Sequence, residues 1–371
     1  MSDIIIVGAG KKTLGNIASE IRRQAEEGGH HLAAIVGRNF IEGRHGRRED
    51  IGLLDNPSAA DQYLRPCLNP DTYVFLTIST EDEGLTAYRY IKYFHERGMY
   101  VITTEKGALA YHYGDLACNL GMLGFRAVVG GGTDMIGVLR RRHLQNKEVL
   151  AHLFVNGTLN FIFYRIAVDG KTLAEATQEA IDKGYSEPGA STPSEVVTGE
   201  LGDIQRKLSV LFNLAFAHVD GPTLWPGMFK SVGLSGAGLQ EFALPGVNYR
   251  FVTRITNRGV KFEGAGSQGS MHAEVNGWHI DAGFVELKAN TQLARRAPDD
   301  VNNGGFIEVG PDGRLGSFDL VKGPGAGKEV TAAAAMADFD DFIARRAREA
   351  AMLQRLRDLA ERVDAVSGSK G

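Results

Sequence analysis

The chain has few cysteines, no excess of basic residues and no long apolar run, and each absence narrows the class of protein. Its 371 residues include two cysteines, Cys67 and Cys118, too few for a disulfide framework and not spaced as a metal-binding pair. This usage suits a reducing compartment, so we expect a cytoplasmic protein. The formal net charge of -4 lacks the basic excess typical of nucleic-acid binders. We therefore expect a small-molecule substrate and no nucleic-acid partner.

The patterns of membrane proteins and of catalytic zinc proteins are also missing. No stretch of about 18 to 20 apolar residues occurs, so we expect no membrane-spanning helix. The strand-like residues 3–7 begin close to the first residue, so we expect no signal peptide. The ten histidines form no HExxH motif and no paired ligand spacing along the sequence, so we expect no catalytic metal.

Strand-like apolar runs alternate with helix-like segments in the first part of the chain, starting with a strand–helix–strand pattern over residues 4–36. This alternation predicts an open, doubly wound parallel sheet of the Rossmann type, which we place at residues 1–135. The predicted strands are 4–7, 31–36, 72–78, 100–103 and 126–129, and the predicted helices are 14–26 and 83–97.

From about residue 136 the pattern changes to helices followed by strands, which predicts a second, α+β domain over residues 136–322. Residues 323–371 contain a glycine-rich turn and a long helical pattern. The predicted elements here are helices at 172–183, 201–217 and 331–362, and strands at 249–256 and 283–288. Segments 43–50 and 188–200 are polar or rich in turn formers, which predicts surface loops.

A glycine-rich turn follows the first predicted strand, where glycines allow a pyrophosphate to approach the backbone and the helix N-terminus. The third glycine comes five residues after the second, so the turn is larger than the usual dinucleotide fingerprint. Asn16 and Ile17 then follow instead of Lys and Ser or Thr, which excludes a P-loop. The alternative is a turn without a ligand. The predicted cofactor-binding residues here are Gly8, Gly10, Lys11, Lys12, Thr13, Leu14 and Gly15.

The end of the second predicted strand indicates which nicotinamide cofactor is bound. Arg38 stands where NAD enzymes usually place an acid that accepts hydrogen bonds from the ribose 2'-hydroxyl. Because a guanidinium can bind a 2'-phosphate through forked contacts, Arg38 favours NADP, with NAD as the second choice and a solvated arginine as the alternative. Ser79 and Thr80 end a central predicted strand, where ligands gather in open α/β sheets, and are predicted cofactor contacts.

Asp203 and Lys207 are four residues apart in a predicted helix and so project from one face. This spacing alone fits a solvated ion pair as well as a catalytic pair. The segments around them resemble those of the homoserine dehydrogenase family, in the same order. The similar segments are Thr-Thr-Glu-Lys (103–106), Val-Gly-Gly-Gly-Thr (129–133), Asn-Gly-Thr-Leu-Asn (156–160), Gly-Tyr-Ser-Glu-Pro (184–188), Asp-Ile-Gln-Arg-Lys (203–207) and Gly-Pro-Gly-Ala-Gly-Lys-Glu-Val-Thr (323–331).

The resemblance implies a homodimeric enzyme that reduces L-aspartate 4-semialdehyde to L-homoserine, or the reverse, with a nicotinamide cofactor that carries the hydride. Lys207 is the first choice for proton transfer, because desolvation can lower the pKa of a lysine while Asp203 orients it. By matching position, the resemblance implies three further groups. Lys106 lies beside the reacting carbonyl and the cofactor. The substrate residues are Glu187, Gly157, Thr158 and Tyr185, and Gly325 and Gly327 bind the cofactor where the chain returns to the nucleotide domain.

Three departures from the family pattern bear on substrate and ions. Glu105 replaces the usual Asn beside Lys106. Arg126 replaces a Glu that helps to bind a monovalent cation, and a guanidinium cannot ligate metal, so we expect no metal there. The acids between residues 188 and 200 are spaced differently, and Glu200 or Glu195 is the candidate to hold the substrate amino group. The alternatives are a different hydroxy or oxo acid, an inactive nucleotide-binding relative, and an assembly role for the C-terminal helix.

Overall fold

The first half of the chain forms a seven-stranded sheet between helices. The computed structural model describes residues 2–9, 15–43, 46–49, 57–69, 71–186, 190–218, 221–314, 316–325 and 327–368. The elements of the first half are β1 (Asp3–Ala9), α1 (Asn16–Glu27), β2 (His31–Gly37), β3 (Phe40–Gly43), β4 (Gly46–Glu49), α2 (Asp61–Leu64), β5 (Thr72–Leu76), α3 (Leu85–His95), β6 (Tyr100–Thr103), α4 (Gly107–Tyr111), α5 (Tyr113–Leu116), β7 (Leu123–Gly124) and α6 (Met135–Arg140).

The strands of this sheet lie in the order β4-β3-β2-β1-β5-β6-β7. The five strands from β2 to β7 in this order are parallel, whereas β3 and β4 pair antiparallel at one edge. Side chains alternate across the sheet: Ile4 and Ile6 pack on the α1 side, and Ile5 and Val7 pack on the α3 side. Both faces are therefore buried, which explains the unbroken apolar runs, and the predicted doubly wound Rossmann sheet is confirmed.

The second half of the chain forms a seven-stranded antiparallel sheet with the order β14-β13-β8-β10-β12-β11-β9. One face of this sheet packs on helices, as the contact between Phe163 of the first of these helices and Phe284 of the sheet shows, and the predicted α+β architecture is confirmed. Its elements are β8 (Val149–Phe154), α7 (Gly157–Asp169), α8 (Leu173–Asp182), α9 (Pro193–Leu211), β9 (Lys230–Ser231), α10 (Gly236–Phe242), β10 (Tyr249–Thr256), β11 (Met271–Val275), β12 (Trp278–Glu286), α11 (Gln292–Arg296), β13 (Asn302–Val309), β14 (Gly316–Pro324) and α12 (Lys328–Gly368).

Helix α12 brings the chain back to the first sheet. Phe339 packs edge-on against Tyr73 of β5, with ring centroids 5.0 Å apart, and it is fully buried. The later part of the helix is exposed, including Met352, Leu356 and Leu359. Among the described residues, no helix combines the length and the apolar character needed to cross a membrane.

Three sequence predictions about local structure are wrong. Residues 193–200 are not a loop but the start of α9, because the Thr192 hydroxyl and the Glu195 carboxylate form a capping box and Pro193 fits the first helical turn. The other predicted loop, 43–50, contains β4 (Gly46–Glu49), which pairs antiparallel with β3. The strand predicted at 126–129 lies earlier, at Leu123–Gly124, because residues 126–132 form a turn.

Candidate active site

Two lysines meet one buried carboxylate where helices α4 and α9 come together. The Nζ atom of Lys106, at the start of α4, lies 3.2 Å from Oδ1 of Asp203 on α9. The Nζ atom of Lys207, one turn after Asp203, lies 2.6 Å from its Oδ2. The Asp203 side chain is 5% exposed, compared with 9% for Lys207 and 24% for Lys106. The structure thus joins three predicted site residues, with Lys106 the most accessible.

Helix α9 supplies this group because its buried face carries a line of ionisable side chains. Glu200, Asp203 and Lys207 are all buried, at helix positions i, i+3 and i+7. Val197, Ile204 and Leu208 are buried on the same side and anchor the helix in the core. Buried charges are costly unless they are paired, which makes this face a strong candidate for function.

The two ammonium groups determine the ionisation of Asp203. Burial alone would raise the pKa of the Asp203 carboxyl, but Lys106 and Lys207 outweigh burial and hold the pKa below its usual range. Asp203 is therefore a carboxylate under all physiological conditions. It fixes both ammonium groups, whose remaining protons can be donated to an oxygen atom placed between them.

Glu200 is the second acid of the site and has a different environment. Asn156 donates a hydrogen bond from Nδ2 to its carboxylate. Burial raises the pKa of Glu200 to about 7 and the Asp203 carboxylate adds to the rise, while Lys207 and the hydrogen bond from Asn156 oppose it. Two neighbouring acids therefore differ in ionisation near neutral pH, which is typical of functional sites.

The predicted pocket wall lies at the start of α7. The Asn156 side chain caps this helix by accepting a hydrogen bond from the Leu159 amide at 2.8 Å. The Thr158 hydroxyl donates to the carbonyl oxygen of Tyr185 at 2.6 Å, so these two predicted residues are in contact. Gly157 must lack a side chain, because a Cβ atom there would lie 2.7 Å from the Val301 carbonyl oxygen. Glu187 lies outside the described residues.

Glu105 fixes the backbone next to Lys106. Its buried carboxylate accepts hydrogen bonds from the Gly107 and Ala108 amides at the start of α4, the latter at 2.9 Å. The carboxylate also accepts a hydrogen bond from the Thr80 hydroxyl, which connects this predicted cofactor contact to the segment that carries Lys106. Ser79, the other predicted contact on this loop, is exposed. The carboxylate therefore compensates the positive end of α4 and fixes the backbone that presents Lys106.

In the described part of the nucleotide turn, the backbone of Gly8 packs closely against Thr77, which follows β5. Gly8 has φ +145°, and a Cβ atom there would lie 2.1 Å from Oγ1 of Thr77. Gly15 is next to it, since a Cβ at Gly15 would lie 3.5 Å from the Gly8 carbonyl oxygen, and it forms the N-cap of α1. The open end of α1 therefore faces this turn. Gly10, Lys11, Lys12, Thr13 and Leu14 lie outside the described residues.

Arg38 lies at the edge of this turn and is paired with an acid. Its Nη2 atom donates to both carboxylate oxygens of Glu81, each at 2.7 Å, and both side chains are about half exposed. A guanidinium at the end of β2 is in the position that discriminates between a 2'-hydroxyl and a 2'-phosphate.

The return segment connects the two halves next to the pocket wall. The Gly325 amide donates to the Val301 carbonyl oxygen at 3.1 Å, and a Cβ at Gly157 would lie 3.3 Å from the Gly325 carbonyl carbon. Gly327 has φ +127°, and its carbonyl oxygen accepts a hydrogen bond from the Thr331 hydroxyl in the first turn of α12. The structure thus brings Gly325 to the predicted substrate residues, while Gly327 starts α12.

Sequence reasoning missed two residues of this site as functional groups. Asn156 joins the α7 cap to Glu200, and the signal available was an Asn directly before a helical segment. Glu81 pairs with Arg38 from a different strand end, and no local pattern indicates that contact. Arg126, which stands where the family has a cation-binding Glu, donates a hydrogen bond from Nη2 to Asp341 at 2.8 Å.

A Rossmann sheet with a glycine turn, combined with buried lysines and carboxylates beside it, defines an oxidoreductase with a nicotinamide cofactor. The family model for homoserine dehydrogenase matches residues 135–339. Homoserine dehydrogenase from Pseudomonas aeruginosa is 27% identical over 368 residues, which cover 97% of this chain and 75% of that protein. The enzyme from Corynebacterium glutamicum is 27% identical over 57% of this chain and 47% of its own length.

A solved structure of a hyperthermophilic archaeal homoserine dehydrogenase in complex with NADPH has a TM-score of 0.59 and 20% identity, covering 91% of this chain and 96% of that one. This likeness shows the fold. The family match shows more: the chain belongs to the homoserine dehydrogenase family.

Proposed function

We propose that the protein is an NADP-dependent homoserine dehydrogenase that interconverts L-aspartate 4-semialdehyde and L-homoserine. The observation that carries this proposal is the buried Asp203 carboxylate held between the ammonium groups of Lys106 and Lys207. Glu200 and the start of α7 lie next to this group. The glycine turn follows β1, in the middle of the first sheet, at the carboxyl ends of the parallel strands.

The lysines suit the chemistry at the carbonyl oxygen. When bound, the nicotinamide cofactor supplies or accepts the hydride at the substrate carbon. Reduction builds negative charge on oxygen, which the Lys106 and Lys207 ammonium groups can stabilise, and a proton passes from Nζ of Lys207 to that oxygen. In the oxidation direction Lys207 must start as the neutral amine, and its Nζ atom then accepts the hydroxyl proton. Asp203 keeps both ammonium groups oriented while the proton moves.

The buried acid Glu200 fits the amino group of the substrate. A carboxylate binds an ammonium group through charge-assisted hydrogen bonds, and these are strong where water is excluded. Asn156 fixes the carboxylate beside the α7 cap, so its position is set before substrate binds. This supports a hydroxy amino acid over a hydroxy acid that lacks the amino group.

Arg38 supports NADP over NAD. Its guanidinium stands at the end of β2, and the 2'-phosphate can replace the Glu81 carboxylate as its partner. The test is NADPH formation with L-homoserine at alkaline pH, compared with NAD and with 4-hydroxybutyrate, which has the hydroxyl but no amino group.

We expect turnover with L-homoserine and NADP, weaker turnover with NAD, and none with 4-hydroxybutyrate. Lys207→Ala should abolish the activity, and Lys183→Ala, at an exposed lysine, should retain it. NADP binding without oxidation of homoserine would contradict the proposal. Faster oxidation of 4-hydroxybutyrate than of homoserine would show that the substrate is a hydroxy acid without an amino group.

For assembly we propose a homodimer in the cytoplasm. The family resemblance favours the dimer, and the exposed apolar side chains of Met352, Leu353, Leu356 and Leu359 on α12 are available for a second chain. Light scattering should give the mass of two chains. A chain that ends after Arg346 keeps the buried Phe342 and lacks the exposed apolar side chains. If these side chains hold the dimer together, the shortened chain should be a folded monomer.

A further inference from the structure

The hairpin formed by β11 and β12 has a rigid, well-defined register. Its connection is the two-residue turn Asn276–Gly277, flanked by the pair Val275 and Trp278. Asn276 has φ 50° and Gly277 has φ 78°, as a type I′ turn requires, and Asn-Gly is the sequence that best adopts this turn. The pairs beyond the turn are therefore fixed: Glu274 lies opposite His279, and His272 lies opposite Asp281.

These four polar side chains lie on the face of the sheet that points away from helices α7 to α9. Trp278 points the other way, where its ring packs against Phe212 and Phe216 with centroids 6.1 and 5.6 Å away. Since side chains alternate along a strand, His279 and its cross-strand neighbours point outward. This places them on the opposite side of the sheet from the candidate active site.

We propose that His272, Glu274 and His279 bind a Zn²⁺ ion. One ligand atom from each of the three side chains lies within 4.8 Å of the others, and the two imidazole rings are stacked with centroids 5.9 Å apart. Two imidazoles and a carboxylate are a common ligand set for zinc, with a further position left for water.

The surroundings of His272 are those of a metal ligand. Its Nδ1 atom is 2.8 Å from Oδ1 of Asp281, and the Asp281 Oδ2 atom accepts hydrogen bonds from Nε and Nη2 of Arg254 at 3.1 and 2.6 Å. A carboxylate only accepts, so Nδ1 of His272 carries the proton and Nε2 keeps its lone pair for a metal. Carboxylate–histidine pairs of this kind orient metal ligands in zinc proteins.

Nearby charges are compatible with a cation. The Arg254 charge is balanced by the buried Asp281 carboxylate, and Glu274 contributes a negative ligand. Three further cations line the cleft beside the site. Lys230, which pairs with His272 in register, and Lys261 are exposed, so their ammonium groups can extend into water, and Arg258 is paired with Glu308 at 3.3 Å. The site opens into a cleft of about 680 Å³ whose lining includes His272 and His279, which leaves room for water on the metal.

Zinc titration of the full chain tests the proposal. Any affinity tag is removed, metal is stripped with EDTA, and Zn²⁺ binding is followed by calorimetry, with the visible spectrum of Co²⁺ as a second readout. We expect one Zn²⁺ per chain and the intense absorption of tetrahedral Co²⁺. Both signals should be lost in His272→Ala/His279→Ala and weakened in Glu274→Gln. Asp281→Asn should lower the affinity by roughly 10- to 100-fold.

The matched control is His31→Ala. The Nδ1 atom of His31 lies 3.0 Å from an oxygen of Asp3, so it is another exposed His–Asp pair, but it is not among the grouped candidate ligands. This variant should bind zinc like the wild type. Circular dichroism verifies that each variant is folded. Absence of stoichiometric zinc binding by the wild type, or full binding by the double histidine variant, would overturn the proposal. Homoserine oxidation by the zinc-site variants should equal that of the wild type.

Discussion

Arg38 donates two hydrogen bonds of 2.7 Å to the carboxylate of Glu81 and thereby connects the end of β2 to the loop that follows β5. In the proposed cofactor site, the 2'-phosphate of NADP and the Glu81 carboxylate compete for the same guanidinium. We therefore expect the pair to lower the affinity for NADP below what Arg38 alone would provide.

Removing the Glu81 charge should improve NADP binding. An exposed ion pair contributes about 0.2–1 kcal/mol, so Glu81→Gln should lower the KM for NADP by up to roughly fivefold. Arg38→Ala should raise that KM by about 10- to 100-fold through loss of a charged hydrogen bond. Initial rates with NADP and NAD measure both effects, and the KM for NAD should change little.

The control for this experiment is Arg22→Ala. Arg22 and Glu26 form an exposed ion pair on α1 with side chains 43% and 48% exposed, close to the 43% and 51% of Arg38 and Glu81. This variant should have the wild-type KM for NADP and for NAD. If Arg38→Ala raised the KM values for NADP and NAD by the same factor, this would argue against a role of Arg38 in cofactor choice.

The pH dependence of kcat/KM tests Glu200. Burial raises the pKa of Glu200 to about 7. Below that pH the side chain is neutral and binds the substrate ammonium weakly, whereas above it the carboxylate is present. In the reduction direction, in which Lys207 starts as an ammonium group, the value of kcat/KM for aspartate semialdehyde should therefore rise with pH up to about 7 and then level off as Glu200 ionises. Glu200→Gln should lower the plateau and remove this ionisation; a variant that keeps the wild-type profile would exclude Glu200 from substrate binding.

Two capping boxes provide a comparison of stability with activity. Thr192 and Glu195 start α9, and Thr172 and Glu175 start α8 in the same way. Replacing either threonine by alanine should cost about 1 kcal/mol in the free energy of unfolding, measured with urea. Because α9 carries Glu200, Asp203 and Lys207, only Thr192→Ala should also raise the KM for homoserine. Equal kinetics of the two variants would show that the start of α9 does not position these groups.

Much of the fold could be predicted because parallel strands buried on both faces are unbroken apolar runs. β1, β2 and β5 were recognised on that basis. β3 and β4 were not, because each has only four residues, β4 is polar, and the strands exist through pairing at the sheet edge. The start of α9 was missed because a capping box is polar and rich in turn formers, like a loop.

The site could be predicted only in part. The pairing of Asp203 with Lys207 follows from helix spacing, but the approach of Lys106 to Asp203 is a tertiary contact that the sequence indicates only through family resemblance. The grouping of His272 with His279 depends on strand register, so a search for ligand spacing along the chain could not find it.

The central claim, that the lysine pair at Asp203 performs the chemistry, is tested most directly by single-turnover reduction of aspartate semialdehyde by enzyme preloaded with NADPH. We predict that Lys207→Met slows NADPH oxidation by roughly 10²- to 10⁴-fold, the range for loss of a general acid, while the Kd for NADPH stays unchanged. A rate equal to that of the wild type would contradict the assignment of Lys207 as the proton donor.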